Sequence, residues 1–375
     1  MVSRLKLSST EVRNEHINGL DGLRTIAFLL VFVAHLGVRF IPAGLGVTIF
    51  FFLSGYLITT LLCDEFARSS SVSIRNFFVR RAFRILPALY VSYGVILALH
   101  WLVTKPTTPV SVYAIFSQLL FASNYFTILI GESVIPIGSG VLWSLAVEEH
   151  FYLIWPFSFL LIVRKCNQLS QLRVIGVVCI LVLIWRAILV ANDATDARVF
   201  AGTDTRIDSI LWGCLLGLQR VGRGGPKLKI PTWGLVGSCI SLILLAFLAT
   251  RVGSKLSQTV GFTLQGLAIY PIFVVVLEGR LKWLLSILDS RLFREVGVRT
   301  YALYLVHHAI IFALKAKTQN IMLICGLAFL LSLVIAECIR RFVELPSLAY
   351  RNYFLIGAVK ARVVRSGSDY FDRTL

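Results

Sequence analysis

Charge is what this sequence has least of for its length. Only 15% of its 375 residues are Asp, Glu, Lys or Arg, against 57% hydrophobic. A soluble domain of this size cannot cover its surface with so little charge, which excludes an ordinary soluble enzyme. Acidic residues are scarcer still: 19 Asp and Glu face 37 Lys and Arg, for a formal net charge of +18. Nucleic-acid binding is nonetheless excluded. The basic residues gather in short segments between apolar blocks, the pattern of cytoplasmic loops under the positive-inside rule. Paired cysteines are missing as well. The seven cysteines are scattered, mostly in apolar runs, with no C-x-x-C. They read as small packing residues, not as a disulfide framework or a metal site. No internal repeat and no separate soluble domain stands out. No small-residue cleavage site follows the first apolar block, so that block reads as a retained helix and not a signal peptide.

Long apolar runs are what the sequence has in abundance. Segments 85–103, 143–163, 174–190, 233–249 and 321–339 approach or exceed the length that spans a hydrocarbon core. Eleven apolar blocks fall near 22–40, 45–63, 85–103, 111–130, 141–163, 174–191, 206–219, 232–250, 260–278, 298–315 and 320–342. If all eleven crossed, the loops with Arg164, Lys165 and Arg173, and with Arg220, Arg223, Lys227 and Lys229, would face outward. If block 111–130 is instead re-entrant or interfacial, every strongly basic loop is cytoplasmic: 64–84, 164–173, 220–231, 279–299 and the tail. The expectation is therefore an all-α, polytopic helix bundle with ten crossings, one excursion and both termini inside. Such an excursion is tolerable only if buried in protein or lining a cavity. Three regions follow: a cytoplasmic segment 1–19, a transmembrane domain 20–350 and a basic cytoplasmic tail 351–375.

Ionisable groups inside spanning helices are costly and mark partners or watered cavities. Arg24 and His35 share one face of the first helix, about 16 Å apart along its axis. An Arg snorkelling to the inner interface and a His in a bundle contact would be the plainer account. Glu148, Glu149 and His150 enter an apolar helix from the outer side. Ser144, Glu148 and Tyr152 lie on one face at i, i+4, i+8. Salt bridges from these carboxylates to Arg24 or Arg206 would be a structural alternative. Arg206 and Asp208 open the seventh block near the outer interface, where an ion pair is the bland reading. Tyr301, Tyr304, His307 and His308 suit either a cavity lining or helix-to-helix hydrogen bonds. Arg81 and Arg84, at i, i+3 among Arg75 and Arg80, are either ordinary positive-inside charge or a phosphate site.

Taken in order, these pieces resemble the membrane-bound acyltransferase-3 family. The resemblance covers most of the chain. It is carried by Leu20-Asp21-Gly22-Leu23-Arg24 with His35, by Phe51-Phe52-Leu53-Ser54-Gly55-Tyr56, and by Arg81-x-x-Arg84-Ile85-x-Pro87-x-x-Tyr90. Ser123-Asn124 and Trp143-Ser144-Leu145-x-x-Glu148-Glu149-x-Phe151-Tyr152 follow. Arg206-x-Asp208-x-x-x-x-Gly213, Tyr301-x-x-Tyr304-Leu305-x-His307 and Glu344-x-Pro346 complete it. The family includes bacterial O-acetyltransferases of lipopolysaccharide, exopolysaccharide and nodulation factors. Some members carry an added C-terminal esterase-like domain; these 375 residues contain none.

The resemblance implies an acyl-CoA donor, acetyl-CoA by default, entering from the cytoplasm, and a glycan or glycolipid acceptor met toward the outer side of a bacterial inner membrane. His35 would be the general base for direct attack on the thioester, with Glu148 or Glu149 orienting it. Arg24, Arg81 and Arg84 would hold the CoA. Ser144, Tyr152, Arg206, Asp208, Tyr304 and His307 would line the cavity, and no metal is needed. No G-x-S-x-G elbow occurs, and no Cys stands beside a His. Two rivals stand beside this reading. His16-Ile17-Asn18-Gly19-Leu20-Asp21 spells the H-x-x-x-x-D of glycerolipid acyltransferases. An ion- or solute-coupled transporter would use the same buried Arg, His and Glu.

Overall fold

The computed structural model describes residues 18–38, 43–104, 110–221, 230–251 and 254–355. Most of the N-terminal segment, His16 included, most of the basic loop 220–231 and the tail beyond 355 lie outside them. In chain order the helices are α1 (Leu20–Leu36), α2 (Ala43–Ser69), α3 (Ile74–Thr104), α4 (Val112–Leu119), α5 (Ser123–Ile130), α6 (Leu142–Lys165), α7 (Gln168–Ala191) and α8 (Asp196–Ala201). Then come α9 (Thr203–Val221), α10 (Thr232–Arg251), α11 (Ser254–Leu277), α12 (Lys282–Leu288), α13 (Arg291–Gly297), α14 (Thr300–Lys315) and α15 (Ile321–Ile339). A 3₁₀ turn, Ser139–Val141, leads into α6. A π-helical turn, Arg340–Glu344, follows α15, and helix then continues to Leu355, into what the sequence suggests is tail. No strand occurs among the described residues.

The fold is that of a polytopic helical membrane protein. Among the described residues, six helices are long and apolar enough to cross a membrane. The bent pair α13–α14, at 75°, makes a seventh if it is one span. The surface is apolar where a soluble protein would be polar: on α7, Val177, Leu181, Ile184 and Ile188 are all exposed. Block 111–130 is not one helix. Phe121, at φ 58°, breaks it into α4 and α5. Each has eight residues, about 12 Å of rise, too short to cross alone. Asn124 ties this excursion to the α8–α9 junction, donating to the Ala201 carbonyl at 3.2 Å and to Thr203 Oγ1 at 3.1 Å.

The centre of the bundle is the crossing of α2 and α9, where small residues let the two backbones touch. A Cβ on Gly55 would lie 2.0 Å from the Ile210 carbonyl oxygen, and one on Gly213 would lie 2.0 Å from that of Phe52. Gly213→Val is therefore expected to destabilise the fold by about 1–3 kcal/mol through overpacking. Thermal unfolding in detergent measures this; an unchanged midpoint would mean that the crossing opens freely.

Among the described residues, α3, α6 and α11 each carry an internal proline: Pro87, Pro156 and Pro271. Pro87 has no N–H to give the Phe83 carbonyl one turn back. Ser347, beyond the π turn, supplies the missing donor at 2.6 Å. The segment after α15 is thereby hooked to α3 one residue from Arg84.

Candidate active site

The last turn of α1 and the middle of α14 meet at one end of the bundle. His35 Nδ1 lies 2.9 Å from His307 Nε2. His307 is fully buried, and its Nδ1 faces the carbonyls of Tyr304 at 2.7 Å and Leu303 at 3.2 Å. The half-buried His35 ring stacks on His308, with centroids 4.1 Å apart. Lys315 Nζ donates to the His35 carbonyl at 3.0 Å, closing the end of α1. Tyr304 and Ser144 share a hydroxyl–hydroxyl bond of 2.7 Å between α14 and α6.

His35, His308, Tyr304, Trp143, Phe200 and Glu132 line a cavity of about 530 Å³. That volume suits a small-molecule or sugar unit. One wall is the segment after α5. Gly138 in that segment has φ 77°, and a Cβ there would lie 2.3 Å from Ala309 Cα. Only glycine lets the wall press this closely on α14 beside His308. The segment that follows the excursion thus borders a cavity.

A second polar cluster lies nearer the other end, where α1, α3, α6, α14 and the π turn converge. Arg24 pairs with Asp21 at 2.5 Å. The Arg81 guanidinium sits 4.1 Å over the Tyr152 ring, and Tyr152 donates to Glu148 at 3.2 Å. Ser54 stands beside Glu148 and Tyr152, and Glu149 is in the field of Arg81. Arg84 has Arg24, Arg81 and Glu344 as its charged neighbours, and it is exposed. Tyr301 donates to the Ile85 carbonyl at 3.0 Å.

The carboxylates therefore sit with the arginines of α3. The sequence reading pairs Glu148 or Glu149 with His35, or alternatively with Arg24 or Arg206. Among the described residues neither carboxylate makes any of these contacts, and the side-chain hydrogen-bond partner of His35 is another histidine. The reason is the pairing of faces: Arg81 and Arg84 present two cations to α6 one turn below Ser144, and carboxylates settle against cations.

Arg206 and Asp208 are both fully buried, and neither lines the cavity. They do not pair with each other. Asp208 is held by Arg186 of α7 through two bonds of 2.9 and 2.8 Å, and Thr263 of α11 adds a third at 2.8 Å. Arg206 donates to Thr48 at 3.1 Å and is otherwise caged by aromatic rings, with Phe262 at 3.6 Å and Trp143 and Phe200 at 5.7 and 5.6 Å. Trp143 and Phe200 stand between it and the cavity. Arg186 escapes the sequence reading, although it is the only charge in the run 174–190. An isolated charge in so apolar a run is itself the signal that would have found it.

Several proteins resemble this chain. It is 30% identical over 373 residues to the peptidoglycan O-acetyltransferase OatA of Listeria monocytogenes, covering 92% of this chain and 58% of that protein. To a putative peptidoglycan O-acetyltransferase, YrhL, of Bacillus subtilis it is 31% identical over 356 residues, 89% of this chain and 55% of the relative. A putative O-acetyltransferase of Staphylococcus aureus is 29% identical over 350 residues, 88% of this chain and 57% of the relative. The chain thus spans a little over half the length of these curated relatives. No solved structure matches it significantly. Residues 17–343 match the acyltransferase domain of the acyltransferase-3 family, and the chain belongs to that family.

Proposed function

We propose that this chain is an integral membrane O-acyltransferase that moves an acetyl group from acetyl-CoA to a hydroxyl of a cell-envelope glycan. Peptidoglycan is the first acceptor to try, because two of the relatives are named for it. In this reading ten helices cross a bacterial inner membrane: α1, α2, α3, α6, α7, α9, α10, α11, α14 and α15. Helices α4 and α5 stay on the outer side, and both termini are cytoplasmic. The positive-inside distribution of Lys and Arg supports that orientation.

The observation that carries the reading is His35 itself. It is a ring held from behind by a buried partner, on the wall of a cavity of about 530 Å³. In the reaction His35 takes the proton of an acceptor hydroxyl. The oxygen attacks the thioester carbonyl carbon, the carbon–sulfur bond breaks, and the CoA thiolate recovers the proton. Arg24, Arg81 and Arg84 would meet the CoA phosphates and its pantetheine arm from the other end of the bundle. Glu148 and Glu149 would hold Arg81 and Tyr152 in place.

The test is direct. Purified protein in lipid nanodiscs is given acetyl-CoA and the N-acetylglucosamine–N-acetylmuramic acid disaccharide. Thiol release and a disaccharide heavier by one acetyl group are expected. Acetyl transfer to neither this disaccharide nor a panel of envelope sugars would overturn the reading. Within the same assay Arg84→Ala should raise KM for acetyl-CoA about 10- to 100-fold, the worth of a charge-assisted phosphate contact. An unchanged KM would remove Arg84 from the donor site.

A further inference from the structure

We infer that His307 is the positioning residue of the reaction: it fixes His35 in the tautomer that leaves Nε2 as the base. The inference rests on the acyl-transfer reading above and adds a residue to it. His307 Nδ1 faces two backbone carbonyls, at 2.7 and 3.2 Å. Carbonyl oxygens only accept, so this nitrogen carries the proton. His307 is fully buried and has no carboxylate partner among the described residues, and its ionisable neighbours are the histidines His35 and His308. The ring is therefore the neutral imidazole, and its Nε2 is an acceptor. His35 Nδ1, 2.9 Å away, must be the donor. A neutral His35 then has its lone pair on Nε2, on a ring that lines the cavity.

The bond persists through the reaction. When Nε2 takes the acceptor proton, His35 becomes an imidazolium that still donates from Nδ1 to His307. The chain of bonds runs on from His307 Nδ1 to the Tyr304 carbonyl. His307 thus does what a carboxylate does behind the histidine of a hydrolytic triad, orienting the ring and setting its tautomer. It does so without a charge of its own. The stacked ring of His308, with centroids 4.1 Å apart, holds the plane of the ring, and the Lys315 bond to the His35 carbonyl anchors its backbone.

The full chain with ¹⁵N-labelled histidine reads the tautomer without any variant. The His35 ring, assigned by loss of its signals in His35→Ala, should give a protonated Nδ1 and an unprotonated Nε2. The opposite tautomer overturns the inference. Kinetically, His307→Leu should lower kcat about 100-fold with KM for acetyl-CoA little changed. His307→Gln offers an amide oxygen to the same N–H and should recover about a tenfold share of the loss. Wild-type kcat in His307→Leu, or a Gln variant no better than Leu, overturns the inference. Those outcomes leave the acyl-transfer reading standing; a fully active His35→Ala would remove His35 as the base and the inference with it, and only the absence of acetyl transfer in the wild-type protein would remove the reading itself.

Discussion

His35→Ala should lower kcat for acetyl transfer by about 10²–10⁴-fold, the contribution of a positioned general base. KM for acetyl-CoA should stay within about threefold, because the proposed donor contacts lie at the other end of α1. The change removes half-buried ring surface at the end of a helix, so a large loss of stability is not expected. His35→Gln keeps a donor for His307 but has no basic nitrogen, and it should be as inactive as the alanine variant. Single-turnover measurement of disaccharide acetylation separates the two causes. Near-normal rates in either variant would show that another group takes the hydroxyl proton.

Asp208→Asn carries the second large effect, on stability and not on chemistry. Asp208 and Arg186 are fully buried, and their two bonds join α9 to α7, with Thr263 of α11 as a third partner. Neutralising Asp208 leaves a guanidinium buried without its counter-ion, at a cost of about 3–5 kcal/mol. Removing both charges, as Arg186→Leu with Asp208→Leu, should recover most of that loss, because no charge is then stranded. Unfolding followed by tryptophan fluorescence in detergent gives both numbers. If the double variant is no better than Asp208→Asn, the pair is not the source of the effect. Acetyl-CoA KM of the surviving folded protein should be unchanged in each case.

Much of the fold was legible because bilayer physics writes itself into composition. Runs of apolar residues mark the long helices, and charge distribution singles out block 111–130 as one that does not cross; the fold there holds two eight-residue helices, a break that charge alone does not specify. Pairing was harder to read. Arg24 and His35 were singled out by helical spacing, which reports faces of one helix and says nothing of which other helix each face meets. Helical spacing therefore sets Glu148 or Glu149 beside His35, while the fold sets Glu148 against Arg81 and Tyr152. His307 was seen as cavity lining, since its backbone partners and its lack of exposure are tertiary facts. Asp208 was placed at an interface with Arg206. Its partner is Arg186 on α7, the single charge of an apolar run, which the pairing of neighbouring motif residues passes over.

Pro87 and Ser347 give the chain a genetic property. The proline leaves a carbonyl open and the serine fills it at 2.6 Å, so each residue matters only because of the other. Ser347→Ala alone strands the Phe83 carbonyl, whereas Pro87→Ala returns a donor from within α3 and makes the serine dispensable. The two substitutions should suppress each other instead of adding. A lineage that loses the proline is free to drift at position 347, and one that keeps it is not.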